Sequence, residues 1–190
     1  MGDNNKKLEE LLQIIEKEFE SIGIHIKEAG KIEITVAKRN CKRYGCCKQK
    51  SPDTKTKSIK RYRNKCYIEY GIYKEHTIEI SKWVLQLDEK IIKNTIAHEL
   101  IHCLPYCNNH SENFKKYATF INEKLNYSIS RVGNKKEDYE ESNLPYKEES
   151  YKYEIKCTQC QQIYKRKRLA KNFIRKYRCG ICNGKLEIIK

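Results

Sequence analysis

The run Ala97-His98-Glu99-Leu100-Ile101-His102 sets two histidines four residues apart, with a glutamate directly after the first. On a helix, side chains four apart project from one face a turn apart, so both imidazoles can reach one ion. Glu99 is then placed to take a proton from a water polarised by that ion. Zn²⁺ suits these ligands and lowers the pKa of such a water to about 7, which supplies a nucleophile near neutral pH. Residue types and spacing together are those of a zinc peptidase helix. The plainer alternative is a pair of ordinary surface or core histidines, and two features weigh against it. Ile96, Leu100, Ile101 and Leu104 make the helix apolar, and a polar cluster in a packed helix needs a chemical reason. A further histidine, His110, follows a turn containing Pro105, and a catalytic zinc site wants three protein ligands plus an open position. Glu112, Glu123, Cys103 and Cys107 compete for the third place, while His25 and His76 lie elsewhere. His110 is favoured.

A second ligand pattern lies near the C-terminus. Cys157-Thr-Gln-Cys160 and Cys179-Gly-Ile-Cys182 form two C-x2-C pairs, the spacing of a structural zinc site. A segment of about forty residues has too little core to fold alone, so metal binding would supply its folding free energy. Gly180 and Gly184 suit tight turns beside the second pair. The other six cysteines, Cys41, Cys46, Cys47, Cys66, Cys103 and Cys107, are read as buried or half-exposed thiols, with a further metal site as the alternative.

These residues need elements to hold them. Leu8, Leu11, Leu12, Ile15, Phe19 and Ile22 recur at spacings of three and four, which predicts an amphipathic helix over residues 5–22. Lys31–Ala37 alternates apolar and charged residues as a half-buried strand does. Lys38–Lys65 is expected to be mostly a long basic loop, with strands following at Cys66–Tyr73 and His76–Ser81. Asp88 is a good N-cap for the histidine helix, which should run to about Leu104 and stop at Pro105. Ser111 is placed to cap another helix with Phe114, Tyr117, Phe120 or Ile121, and Leu125 on its inner side. From Gly133 to Ser150 apolar residues nearly vanish, which suggests a linker or a surface strap.

The segment Ala97–Asn122, A-H-E-L-I-H-C-L-P-Y-C-N-N-H-S-E-N-F-K-K-Y-A-T-F-I-N, resembles the SprT-like metalloproteases, the group that includes the Spartan proteases. That family follows H-E-x-x-H with Gly-His-Gly-x-x-Phe, which delivers the third ligand. Here Asn109-His110-Ser111 stands in place of Gly-His-Gly, and Phe114 keeps the aromatic position. The resemblance spans about residues 8–130. It implies an α+β, zincin-like metalloprotease domain of about three helices and a small sheet, followed by a small zinc ribbon such as family members often carry. The expected division is a protease domain over 1–132, a linker over 133–150 and a zinc ribbon over 151–190. The expected cofactors are one catalytic Zn²⁺, on His98, His102 and His110, and one structural Zn²⁺, on Cys157, Cys160, Cys179 and Cys182.

Charge bears on partners. The 190 residues carry a formal +15, concentrated in two places. Residues 38–65 hold twelve basic residues against one acidic, and 151–190 hold twelve against two. Clustered charge creates a field that scattered charge does not, and a polyanion is the partner it favours. Candidate nucleic-acid contacts are Lys165, Arg166, Lys167, Arg168 and Arg175 near the cysteine pairs, and Lys60, Arg61 and Arg63 in the earlier basic stretch. The plainer reading is two solvated lysine-rich surfaces. The family resemblance implies cleavage of proteins bound or crosslinked to DNA, with activity coupled to DNA binding, single- or double-stranded. Rival readings are a nucleic-acid-binding regulator with a structural or inactive histidine site, and a peptidase acting on small peptides. A purely structural site has no use for Glu99, which argues against the regulator. No apolar run reaches the length of a transmembrane helix, and the polar start lacks a signal-peptide core. The expected location is intracellular, in the cytoplasm, or nucleoid-associated if the source is bacterial.

Overall fold

The computed structural model describes residues 2–39, 42–62, 65–148 and 150–190, in two compact units, 1–145 and 146–190. Cys41 and Arg63 lie outside the described residues.

The first unit starts with helix α1, Gly2–Ser21. Its stripe of Leu8, Leu11, Leu12, Ile15 and Phe19 is buried, and each such side chain contributes about 1.5–3 kcal/mol by leaving water. Strands β1 (Lys31–Val36) and β5 (Tyr73–Ile80) pair in parallel, Ile34 opposite Ile78 and Val36 opposite Ile80. Strand β2 (Gly45–Pro52) runs antiparallel along the other side of β5, giving the order β1-β5-β2. On β5 the inward positions are His76, Ile78 and Ile80, the period-2 pattern of a strand with one buried face. Gly30 opens this sheet at φ +92°, where a Cβ would stand 2.2 Å from the Lys74 carbonyl oxygen, so only glycine fits.

Strands β3 (Lys57–Tyr62) and β4 (Lys65–Tyr70) form a separate antiparallel pair. The basic stretch is therefore not mostly loop, because β2 and β3 both lie within it. Gly-Cys-Cys-Lys-Gln-Lys-Ser-Pro has no β-branched residue, so its strand character comes from completing the hydrogen-bond ladder of β5, not from propensity. Helix α2 (Glu89–Ile101) begins at Asp88, whose side chain accepts from the Lys90 N–H at 2.8 Å. Helix α3 (Glu112–Leu125) follows Ser111, which holds the N-cap position without a side-chain hydrogen bond, and buries Phe114, Ala118 and Ile121.

The stretch expected as a linker contains helix α4, Lys135–Glu141. It is tied down by side chains that composition hides. Tyr139 stacks on Trp83 at 6.1 Å between centroids, Lys135 Nζ stands 4.2 Å over the Trp83 ring, and the Tyr44 hydroxyl donates to Asp138. The segment is a strap on the first unit, and the division between the units falls at 145/146, within the expected 133–150 stretch.

In the second unit, β6 (Tyr153–Cys157) lies between β7 (Ile163–Arg166) and β8 (Leu186–Ile188), both antiparallel to it. A short helix, α5 (Phe173–Lys176), connects β7 to the second cysteine pair. Its core is small: Ile155, Cys157, Cys179 and Leu186, with Tyr164, Leu169 and Phe173 packed around them. Mixed helices and small sheets followed by a four-cysteine unit make this an α+β chain of the class expected. No helix among the described residues is long and apolar enough to cross a membrane.

Candidate metal centre

His98 and Glu99 sit in the last turn of α2, and His102 is its C-cap, still in right-handed helical conformation. The four-residue spacing therefore keeps both imidazoles on one face. Gln49 of β2 donates from Nε2 to the His102 carbonyl at 2.7 Å and to Asn108 Oδ1 at 3.1 Å. That ties the end of α2 and the following turn to the sheet. Tyr106 in this turn adopts φ +59° and donates its N–H to the Gly71 carbonyl at 2.7 Å. The chain is thereby brought round to present His110 just before α3.

One nitrogen from each of His98, His102 and His110 lies within 4.8 Å of the others, and His110 Nε2 is 2.9 Å from His98 Nε2. Phe114 packs under all three rings, 4.7–4.8 Å from each centroid. His98 Nδ1 donates to the Ser130 carbonyl at 3.0 Å, and His102 Nδ1 donates to the Cys107 carbonyl at 2.7 Å. Those bonds leave each Nε2 as a bare lone pair, the tautomer a metal ligand needs. Burial, then the neighbouring His102 and His110, pushes His98 down to about 4. Burial likewise lowers His102 and His110. All three are neutral at pH 7, which is the ligating form. This donor set fits Zn²⁺, with three imidazoles and one side left open.

Glu99 is only 6% exposed. Burial, reinforced by the negative charge of the nearby Cys47 sulfur, raises it to about 8, against a backbone hydrogen bond from Cys47 and the charge of Arg43. A cleft of roughly 830 Å³ opens over the site, within the range usual for ligand pockets. Gly45 and Cys47 of β2, the four residues of the histidine site, and Asp138 of α4 all line it.

The competitors for third ligand go elsewhere. Glu112 pairs with Lys115 at 2.7 Å, Glu123 is exposed, Cys103 faces Cys47, and Cys107 is buried and contributes its carbonyl to His102.

In the second unit the four cysteine sulfurs also lie within 4.8 Å of one another. Cys157 is 3.4 Å from Cys182 and Cys160 is 3.5 Å from Cys179. The two pairs share one local geometry. Gln161 and Asn183, each just after the second cysteine, have φ +60° and +59°. Their N–H groups return to the carbonyls of Cys157 and Cys179 at 3.1 and 3.0 Å. The tight turns thus fall on these two residues and not on Gly180 or Gly184. Four sulfurs converging in so small a core fit a structural zinc ion.

The basic candidates divide between the units. Lys60 and Arg61 lie on β3, and Lys60 pairs with Glu69. Lys165 and Arg166 end β7, Lys167 and Arg168 follow it, and Arg175 is on α5, all exposed. Lys165 has Glu154 at 3.8 Å. Sequence reasoning missed the roles of Gly45, Cys47 and the Ser130 carbonyl. A glycine inside an otherwise lysine-rich stretch was the one signal present, and backbone acceptors leave none.

A family model described as the SprT-like family matches residues 8–134. "Protein SprT-like" of Oceanobacillus iheyensis is 48% identical over 48 residues, which is 25% of this chain and 31% of that relative. The chain thus aligns with less than a third of that relative's length. The match over residues 8–134 takes in α1, the β1-β5-β2 sheet, the histidine helix and α3, and the chain belongs to the SprT-like family.

Proposed function

We propose that this chain is a zinc-dependent endopeptidase acting on proteins bound or crosslinked to DNA, with its activity coupled to DNA binding. Family membership supports the metalloprotease type of function. One observation carries the catalytic reading: a glutamate buried to 6% exposure sits beside three imidazoles whose nitrogens converge in an open cleft. A buried carboxylate with no carboxylate-specific task costs stability, and the position next to His98 is where a base is useful.

His98, His102 and His110 would hold the catalytic ion, and the four cysteines of the second unit a structural one. Zn²⁺, when bound, polarises the scissile carbonyl and makes a water acidic enough to ionise near pH 7. Glu99 is the general base that removes the water's proton. With an ion held by the three histidines, Glu99 would ionise below the value that burial imposes and could serve as that base. The protonated Glu99 then donates to the leaving amine as the peptide bond breaks. The Cys47 N–H and the close backbone of Gly45 hold the carboxylate in place. The basic residues of the second unit supply the field that draws a polyanion, and phosphate contacts make such binding salt-dependent.

The test is cleavage of a DNA-binding substrate protein by zinc-loaded chain, with and without DNA, comparing wild type with Glu99→Gln. Cleavage that DNA stimulates and the substitution abolishes is expected. A zinc-loaded, DNA-binding wild type that cleaves nothing would instead favour a regulator built around the cysteine unit.

A further inference from the structure

A second cluster of ligand-type side chains lies among the elements that hold Glu99. Cys47 comes from β2, His76 from β5, and Cys103 from the turn after α2. Cys47 Sγ is 3.6 Å from Cys103 Sγ and 3.8 Å from His76 Nδ1, and the three ligand atoms all lie within 4.8 Å of one another. Around one tetrahedral Zn²⁺, with bonds of about 2.3 Å to sulfur and about 2.0–2.1 Å to nitrogen, two sulfurs stand roughly 3.8 Å apart. A sulfur and a nitrogen in that geometry stand roughly 3.6 Å apart. The two separations from Cys47 agree with these tetrahedral values to about 0.2 Å.

The histidine is oriented for the task. His76 is 2% exposed, and its Nε2 faces two backbone carbonyls, Ala29 at 3.0 Å and Tyr73 at 3.2 Å. A ring nitrogen facing two oxygens carries the proton, so Nδ1 is the bare lone pair, and it faces the Cys47 sulfur. The same device sets the tautomers of His98 and His102, through Nδ1 in those rings and through Nε2 in His76. Two thiols that needed only hydrogen bonds could use the Glu99 carbonyl, 3.6 Å from Cys103 Sγ, and would not require an imidazole locked in this tautomer. Cys47 is half-buried and lines the cleft, which gives an ion a way in.

We propose that Cys47, His76 and Cys103 form a further metal site, separate from the three-histidine and four-cysteine groups, that takes a thiophilic divalent ion of the Zn²⁺ class. Two thiolates and an imidazole favour such an ion over hard cations. The ion pins β2 and β5 to the end of α2. Because the Cys47 N–H bonds the Glu99 carboxylate and Cys103 lies one helical turn beyond Glu99, it braces the surroundings of that carboxylate. The site stands whether or not the chain is a peptidase.

The experiment is ¹¹³Cd NMR of the full wild-type chain, loaded with Cd²⁺ under reducing conditions. Sulfur-rich and nitrogen-rich coordination separate widely in chemical shift. A resonance for mixed two-sulfur, one-nitrogen coordination is expected, between those of the four-thiolate and three-imidazole groups. It should vanish in Cys47→Ser and persist in His98→Ala. Its absence from the folded wild type, or its survival in a folded Cys47→Ser, overturns the proposal. If Cys47→Ser does not fold, the wild-type spectrum alone decides.

Discussion

Gly45 approaches Glu99 so closely that a Cβ on it would stand 2.8 Å from the carboxylate Oε1 and 2.9 Å from its Cγ. The lack of a side chain on one strand thus sets where the carboxylate of a neighbouring helix can lie. Gly45→Ala must push either β2 or Glu99 aside. A displacement near 1 Å at a reacting group can cost about 100-fold in rate. Hydrolysis is expected to fall roughly 10- to 100-fold, with metal content at the three histidines unchanged. Parallel measurement of kcat and bound zinc checks this, and undiminished activity would refute it.

Glu99 also makes the stability of the metal-free protein depend on pH. Its folded pKa, about 8, is raised above the unfolded value of roughly 4.3. Between those values the folded state holds the proton more tightly than the unfolded state does. Stability therefore falls as pH rises through this window and stays low above it. Glu99→Gln removes the titrating group and should flatten the profile, giving on the order of 5 kcal/mol more stability than wild type at pH 8.5. Urea unfolding at pH 5 and 8.5, followed by fluorescence of the single tryptophan, Trp83, would show it. Parallel profiles for the two proteins would count against the buried carboxylate.

Phe114 is 2% exposed and packs against all three histidine rings. Phe114→Ala should cost about 3–5 kcal/mol in stability through loss of burial and the cavity left behind. Weaker zinc binding should accompany it, by roughly 10- to 100-fold, as when the outer supports of ligands are removed. Phe114→Leu should recover most of the stability and less of the affinity. Competition with a chromogenic chelator, alongside thermal melts, separates the two losses.

The basic residues of the second unit lend themselves to a salt titration. If Arg166 and Arg168 each touch a phosphate, replacing both with alanine should reduce the slope of log affinity against log salt by about 1.4 to 1.8, depending on strand form. Fluorescence anisotropy with a labelled oligonucleotide at several salt concentrations measures it. An unchanged slope would place the phosphate contacts elsewhere.

What sequence alone could and could not reveal follows from the range of each interaction. The α1 stripe, the Asp88 cap and the His98/His102 spacing are local patterns, and so are the two cysteine pairs, and each is present in the structure. Strand β2 was hidden because its lysines suggest loop and its partner, β5, lies more than twenty residues on, whereas β3, paired with the next strand, was hidden by its lysines alone. Helix α4 was hidden because the Tyr139–Trp83 stack spans more than fifty residues. The Cys47–His76–Cys103 group draws on three separated elements, so no spacing rule could have announced it.

The carbonyls that orient the histidines also set an order of events. His98 depends on Ser130, which lies beyond the end of α3. A nascent chain that has emerged only as far as His110 has every imidazole but not the acceptor that fixes the first of them. The full support of the first ligand therefore needs the chain to double back past α3.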